Sequence, residues 1–93
     1  MRLKLRAFSM KAQALVAWNL RRLRVAQGRS QEDLALEAEV DRSYMSRLEQ
    51  GRVNPIVGVL EQIAGALGAH ISELFVEPAR GRGGAEVAAR RSA

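Results

Sequence analysis

Two arginines, Arg42 and Arg47, are the residues of this sequence best placed to act on a partner molecule. They are five positions apart, so on a helix of 3.6 residues per turn they lie within about 140° of each other. Both side chains could therefore reach the same groove of a nucleic-acid duplex. Arginine is the commonest reader of guanine, through paired hydrogen bonds to O6 and N7; contact with phosphates alone is the alternative. Ser43 and Ser46 could contact bases or phosphates, or only leave room. The Tyr44 hydroxyl could contact a phosphate, or its ring could be a half-buried packing residue.

The segment around these residues has the capping residues of two short helices. Ser30 is a good N-cap, with Asp33 as an acidic partner in the first turn, and Asp41 is a second N-cap. Gly51 supplies a C-terminal stop, and the small Ala35 suits a close crossing of two helices. Two short helices joined by a tight turn form the helix-turn-helix layout, in which the second helix enters the major groove of DNA.

The apolar spacing along the rest of the chain predicts an all-α fold. Helices are predicted over about residues 11–26, 31–38, 42–50, 56–67 and 72–76. The sequence therefore divides into an N-terminal arm at 1–10, a helical domain at 11–77 and a basic tail at 78–93. The arm alternates basic and apolar residues, which fits a short strand or an unstructured segment. The tail is rich in Gly, Ala and Arg without a core pattern, so we expect it to be disordered.

Charge is distributed unevenly along the chain. The net charge is +5, made up of +8 over residues 1–29, −6 over residues 30–77 and +3 over residues 78–93. The acidic middle region is not a general binder of polyanions. Its only basic residues are Arg42, Arg47 and Arg52, inside or just after the second helix of the motif. That placement suits a helix that reads a groove; the alternative is that three arginines lie on a solvated helix face.

Composition argues against several classes of protein. The chain has no cysteine and a single histidine, so it has neither a thiolate metal site nor a histidine cluster. No apolar run approaches the length of about 20 residues that a membrane helix needs. There is also no pairing of a nucleophile with a base and no phosphate-cradling loop. We therefore expect no enzyme activity, no cofactor, no metal and no membrane partner, and a location in the reducing cytoplasm, at the nucleoid.

Apolar residues are also found at the end of the predicted domain. They are Ile71, Leu74, Phe75 and Val76. In a domain this small, an apolar end indicates a surface for dimerisation, although the same residues could equally close the domain's own core.

Several motifs together resemble one family. They are Ser-Gln-Glu-Asp-Leu-Ala at 30–35, Asp-Arg-Ser-Tyr-Met-Ser at 41–46, Asn-Pro at 54–55 and Leu-Glu-Gln-Ile-Ala-Gly-Ala-Leu-Gly at 60–68. Over about residues 12–76 the chain resembles the Cro/C1-type, or XRE, helix-turn-helix regulators, and it is similar to the controller proteins of restriction–modification systems. The resemblance implies a compact five-helix, lambda-repressor-like domain that regulates transcription by binding double-stranded DNA at a near-palindromic operator as a homodimer. A contact with RNA polymerase is a further candidate interaction.

The resemblance also implies roles for particular residues. Gln31, first in the second helix, would contact a backbone phosphate, and Arg52 and Asn54 would hold a phosphate on the other side of the recognition helix. Arg24 and Glu49 match a pair that forms a partly buried salt bridge in this family. An exposed glutamate facing DNA would repel phosphate, which also favours a structural role for Glu49.

The turn between the two helices departs from the family pattern. Its residue is usually Gly or Asn, because the position takes left-handed backbone angles, whereas this chain has Glu39. A side chain with a Cβ costs on the order of 1 kcal/mol in that conformation.

A protein-interaction module is the alternative function. An antitoxin-like protein could use the basic tail after Pro78 to wrap a partner protein. A partner that co-purifies with the full chain and is lost when the tail is deleted would favour this hypothesis.

Overall fold

Residues 11–78 are described by the structure, a computed structural model, and they form an all-helical domain. The elements are α1 (Ala12–Ala26), α2 (Gln31–Ala38), α3 (Arg42–Glu49), α4 (Val57–Ala66) and a 3₁₀ helix at Ile71–Phe75. Between residues 11 and 78 there is no strand, and no helix there is long and apolar enough to cross a membrane. The predicted arm and nearly all of the predicted tail lie outside the described residues. The hypothesis that the tail binds a partner concerns those same residues.

Four of the five predicted helices are confirmed, with boundaries within one residue of those expected. The fifth is a correction, because it is a 3₁₀ helix and the domain has four α-helices among its described residues. His70 is its N-cap, and the His70 Nδ1 atom accepts a hydrogen bond from the Ser72 N–H. The Glu73 N–H donates to the carbonyl of His70 three residues earlier, which is the 3₁₀ pattern.

The N-terminal caps of α2 and α3 form as the sequence predicts. The Ser30 Oγ atom accepts a hydrogen bond from the Asp33 N–H at 2.9 Å. The Asp41 carboxylate accepts from the N–H groups of Ser43 and Tyr44 at 3.0 and 3.1 Å. The Ser43 hydroxyl and these amides favour the charged carboxylate, so they hold the pKa of Asp41 below its ordinary value. The start of α3 is therefore fixed by its own sequence.

Glu39 occupies the left-handed turn between α2 and α3, with φ at 59° and ψ at 45°. The turn closes because the N–H of Val40 donates to the carbonyl of Ala35 at 2.9 Å. In the described part of the chain, Glu39 is the only residue other than glycine with a positive φ.

Replacing Glu39 with glycine is expected to stabilise the domain. Glycine adopts the left-handed conformation without the steric penalty of a Cβ, so the free energy of unfolding should rise by about 1 kcal/mol. Urea unfolding followed by circular dichroism measures the change. Leu36→Gly is the matched control: Leu36 is exposed inside α2, where glycine should lower stability by about 1 kcal/mol. A loss of stability in Glu39→Gly would contradict strain at this turn.

A single core holds the helices together. α1 packs against α3 and the 3₁₀ helix, and α2 packs against α3 and α4. The core residues are Val16, Leu20, Leu34, Ala35, Ala38, Met45, Leu48, Leu60, Ile63, Ala64, Leu67 and Leu74. Every helix contributes to this cluster, so the position of α3 is set by contacts from both α1 and α2.

Polar side chains close the carboxyl ends of two helices. The Gln62 amide donates to the carbonyl of Ala38 at the end of α2, at 2.9 Å. The guanidinium of Arg29 donates to the carbonyl of Ala66 at the end of α4, at 2.7 Å. These bonds satisfy carbonyl groups that have no partner within their own helix. The first bond joins α2 to α4, and the second joins the loop before α2 to the end of α4.

Candidate nucleic-acid interface

α3 presents one polar face and one buried face. Met45 and Leu48 are wholly buried and anchor the helix in the core. Arg42 and Arg47 are both exposed on the same helix, as the sequence interpretation requires. The guanidinium carbon of Arg47 lies 5.8 Å from the centroid of the Tyr44 ring, within the range of a cation–π contact. The exposed part of α3 therefore carries two cationic residues, and the buried part of the helix is held in the core.

The two serines of α3 are in different environments. Ser43 is exposed, and its hydroxyl donates to the Asp41 carboxylate at 2.5 Å. Ser46 is half-buried, and its hydroxyl accepts a hydrogen bond from the Gln50 amide at 3.2 Å. Both hydroxyls keep further hydrogen-bonding capacity, because each has one donor and two acceptor lone pairs.

Of the two alternatives for Tyr44, the structure shows the half-buried packing residue, and contact of its hydroxyl with a phosphate stays a prediction. Its side chain is half-buried and packs against the core cluster. Its ring also lines an open groove of about 540 Å³ between α3 and α4, together with Arg47 and Asn54. A partly packed ring with one polar end in a groove can reach a partner without losing its internal contacts.

Arg24 and Glu49 form a bidentate ion pair between α1 and α3. The Arg24 Nε atom donates to the Glu49 Oε2 atom at 2.5 Å, and the Arg24 Nη2 atom donates to the Glu49 Oε1 atom at 3.0 Å. The two side chains are only 11% and 3% exposed, respectively. The hydrogen bond to Glu49 outweighs burial and raises the pKa of Arg24. Arg24 also donates to the carbonyl of Arg29 at 2.7 Å, so the pair connects α1, the following loop and α3.

Gln31 is attached to this ion pair. Its amide Nε2 atom donates to the Glu49 Oε1 atom at 3.1 Å. An amide nitrogen carries two hydrogens, so one remains for a second acceptor. The bond to Glu49 fixes which end of the amide faces α3, and Gln31 stands at the first position of α2. The arrangement presents an N–H donor at a helix N-terminus, which suits an anionic group.

The segment after α3 carries the remaining polar candidates. Arg52 and Asn54 are both exposed. The Arg52 guanidinium donates to the Gln50 amide oxygen at 2.9 Å, and Asn54 lines the groove beside Arg47. Both side chains therefore lie close to the C-terminal turn of α3.

Three residues that stand out in the structure were not singled out by the sequence interpretation. Ile56 and Val57 are large apolar side chains that are 71% and 66% exposed at the start of α4. Their helical periodicity hid them, because they look like the first residues of an amphipathic helix. Asn19 is wholly buried. The sequence did carry an indication of its burial, because Asn19 is a lone polar residue among the apolar residues of α1 that face the core.

The predicted dimer residues divide between core and surface. Leu74 is wholly buried in the domain's own core, so its assignment to a dimer interface is corrected: it closes the core instead. Ile71 is half-buried and packs against the same cluster. Phe75 and Val76 are each 42% exposed and remain candidates for contact with a second chain. The 3₁₀ helix directs Leu74 into the core and leaves the adjacent Glu73 and Phe75 exposed to solvent.

The capped helix pair, the left-handed turn between its members and the cationic outer face of α3 define a helix-turn-helix DNA-binding domain. Residues 15–74 match the family described as the helix-turn-helix domain, and the chain belongs to this family. The resemblance to Cro/C1-type regulators and to restriction–modification controller proteins is confirmed.

Similar proteins include a hypothetical transcription factor from Neisseria meningitidis. It is 40% identical over 65 residues, and the alignment covers 70% of this chain and 61% of the relative. The chain therefore aligns with less than two thirds of that protein's length. The solved Neisseria structure superposes with a TM-score of 0.70 at 36% identity, over 83% of this chain and 92% of the other.

Two controller proteins of known structure are also similar. C.AhdI from Aeromonas hydrophila has a TM-score of 0.66 at 38% identity, over 68% of this chain and 96% of the other. C.Esp1396I, solved as a tetramer in complex with its natural 35-base-pair operator, has a TM-score of 0.63 at 27% identity. That superposition covers 72% of this chain and 99% of the other.

Proposed function

We propose that this protein is a transcriptional regulator that recognises a specific sequence of double-stranded DNA. The observation that carries the proposal is the pair of exposed guanidinium groups, Arg42 and Arg47, on a helix whose opposite face is fixed in the core. α3 would lie in the major groove, where a bidentate arginine distinguishes guanine from the other bases. The controller protein solved with its operator supports this reading of the fold.

The polar residues around α3 divide into two roles in this proposal. Arg42, Ser43, Ser46 and Arg47 would contact base edges. Phosphate contacts would come from Gln31 at the N-terminus of α2, and from Tyr44, Arg52 and Asn54 on the other side. Phosphate contacts fix the position of the domain on the duplex, and base contacts select the sequence. The ion pair of Arg24 and Glu49 keeps these two groups in register, because it joins α1 to α3 and also holds Gln31.

A homodimer on a near-palindromic operator is the assembly we propose. Phe75 and Val76, with the edge of Ile71, form the exposed apolar surface at the end of the domain. A two-fold dimer would present two copies of α3 to half-sites about one helical turn, or roughly 34 Å, apart. The tetrameric controller protein on its operator supports assembly as a general property of such domains. The regulator would act at the cytoplasmic nucleoid, where contact with RNA polymerase is part of the same proposal.

Selection of DNA from a random pool tests this proposal. The full chain is expected to enrich one family of sequences with two inverted half-sites, and footprinting should show both half-sites protected. Sedimentation measures the assembly: Phe75→Glu should shift the protein toward the monomer and weaken operator binding, because it places a charge in an apolar contact. Recovery of random DNA, with binding that depends on salt but not on sequence, would overturn the proposal.

A further inference from the structure

Two consecutive aliphatic side chains at the start of α4 point into different grooves. Ile56 lines the groove of about 540 Å³ that also contains Tyr44, Arg47 and Asn54. Val57 lines a smaller groove of about 210 Å³ together with Phe75. Asn54 lines both grooves, but Tyr44 and Arg47 line only the groove of Ile56, and Phe75 lines only the groove of Val57.

The position of Ile56 is fixed by its backbone. Pro55 precedes Ile56 in the sequence. The carbonyl of Ile56 accepts hydrogen bonds from the N–H groups of Val59 and Leu60 at 3.1 and 3.2 Å. Ile56 is the N-cap residue of α4, yet its side chain makes no capping bond. A polar residue would serve better at this position for the stability of the helix. The β-branched side chain, which is 71% exposed, thus has no role in the folded domain that accounts for its type.

Duplex DNA placed against Arg47 would cover this side chain. Glu39 and Asp41 also line this groove, and their negative charges disfavour a phosphate close to them. Most groups on the base edges of the major groove are polar, and the C5-methyl of thymine is the largest apolar group among them. An aliphatic side chain beside a guanidinium therefore complements a thymine that neighbours the base pair contacted by the arginine.

We propose that Ile56 is a specificity-determining residue that recognises the C5-methyl group of a thymine in each half-site. The inference rests on the proposed function, because it needs α3 in the major groove. Ile56 adds an apolar contact to the hydrogen bonds made by α3 and extends the sequence that each subunit reads. The occupant of the groove is operator DNA rather than a second copy of the chain.

Replacement of thymine by uracil in the selected operator tests the inference. Uracil lacks only the C5-methyl group, so pairing is unchanged. For the wild-type chain, uracil at one thymine position of each half-site should weaken binding about fourfold per half-site, the effect of one buried methyl group. For Ile56→Ala, thymine and uracil at that position should bind equally well. Affinities are measured by titration of the dimer with labelled operators.

Val57→Ala is the matched control, because Val57 is an equally exposed aliphatic residue on the other groove. It should keep the wild-type ratio of affinities for thymine and uracil operators, even where its dimer is weaker. Ile56→Ser separates recognition from folding: it supplies the cap that α4 lacks, so its Tm should rise while its preference for thymine disappears.

Three results would overturn the inference. The first is a selected operator at which no thymine methyl matters, and the second is a uracil effect that persists unchanged in Ile56→Ala. The third is an Ile56→Ala variant that changes only the monomer–dimer equilibrium, which would assign the groove to a second chain. Failure to select any operator would instead remove the proposed function itself, so the two failures are distinguishable.

Discussion

Replacing Arg47 with alanine is expected to remove most of the sequence preference of this protein. A bidentate arginine is worth about 1–3 kcal/mol of discrimination against the wrong base pair. A homodimer presents the residue twice, and the two half-sites are far enough apart for the effects to add, so the total loss is about 2–6 kcal/mol. The fold should be unaffected, because the Arg47 side chain is exposed. Titration of selected and scrambled DNA at fixed salt measures the loss.

Two control variants distinguish base recognition from charge. Arg47→Lys keeps the positive charge but has no planar pair of donors, so it should retain affinity for scrambled DNA and lose most of the preference. Arg21→Ala removes an equally exposed cation from α1, away from the recognition face. It should leave the ratio of selected to scrambled affinity unchanged. If Arg47→Ala weakens both DNAs to the same extent, Arg47 contacts phosphate and not a base.

Replacing Glu49 with alanine is expected to have the largest effect on stability. The change leaves the Arg24 guanidinium, only 11% exposed, without its carboxylate. Breaking a buried ion pair from one side costs about 3–5 kcal/mol, a large part of the roughly 5–15 kcal/mol that stabilises a small domain. The bond to Gln31 is lost as well. Chemical unfolding monitored by circular dichroism gives the change in the free energy of unfolding.

An exposed ion pair in the same domain provides the comparison. Arg29 and Glu37 also form a salt bridge, but the Glu37 side chain is 58% exposed. Glu37→Ala should therefore lower stability by about 1 kcal/mol or less. The double variant Arg24→Met, Glu49→Leu should recover much of the loss, because no buried charge remains unpaired. Equal effects of Glu49→Ala and Glu37→Ala would show that burial does not govern the first pair.

The parts of the fold that are encoded locally could be predicted from the sequence. Ser30 and Asp41 cap the next few amides, so the starts of α2 and α3 follow from residues within three positions. The left-handed turn at Glu39 was expected from the resemblance to the family, in which this position takes left-handed angles, and the structure confirms it. These features depend on hydrogen bonds whose partners are adjacent in the chain, and no tertiary contact is needed to anticipate them.

The errors concern residues whose environment is set by distant segments. Whether Leu74 faces the core or a second chain depends on where α1 lies, and apolar character alone does not decide it. The 3₁₀ form of the last helix is likewise accompanied by bonds to α1, since the Leu74 carbonyl accepts from Asn19, 55 positions earlier. Ile56 and Val57 are consecutive β-branched aliphatic residues, so the sequence does not distinguish them. Only the packed domain shows that they line different grooves.

The attachment of the last segment through Asn19 has a consequence for how such proteins can change. The Asn19 Nδ2 atom lies within 3.0 Å of the carbonyl oxygens of Leu15, Leu74 and Val76, while its Oδ1 atom accepts from Arg22. In the last described segment, the groups that Asn19 holds are the backbone carbonyls of Leu74 and Val76, which are present whatever the side chain. In the proposed dimer, mutations of Phe75 and Val76 would therefore alter which subunits associate without displacing the segment. Duplicated genes could acquire separate pairing preferences by such steps, and related regulators could then coexist in one cell without forming mixed assemblies.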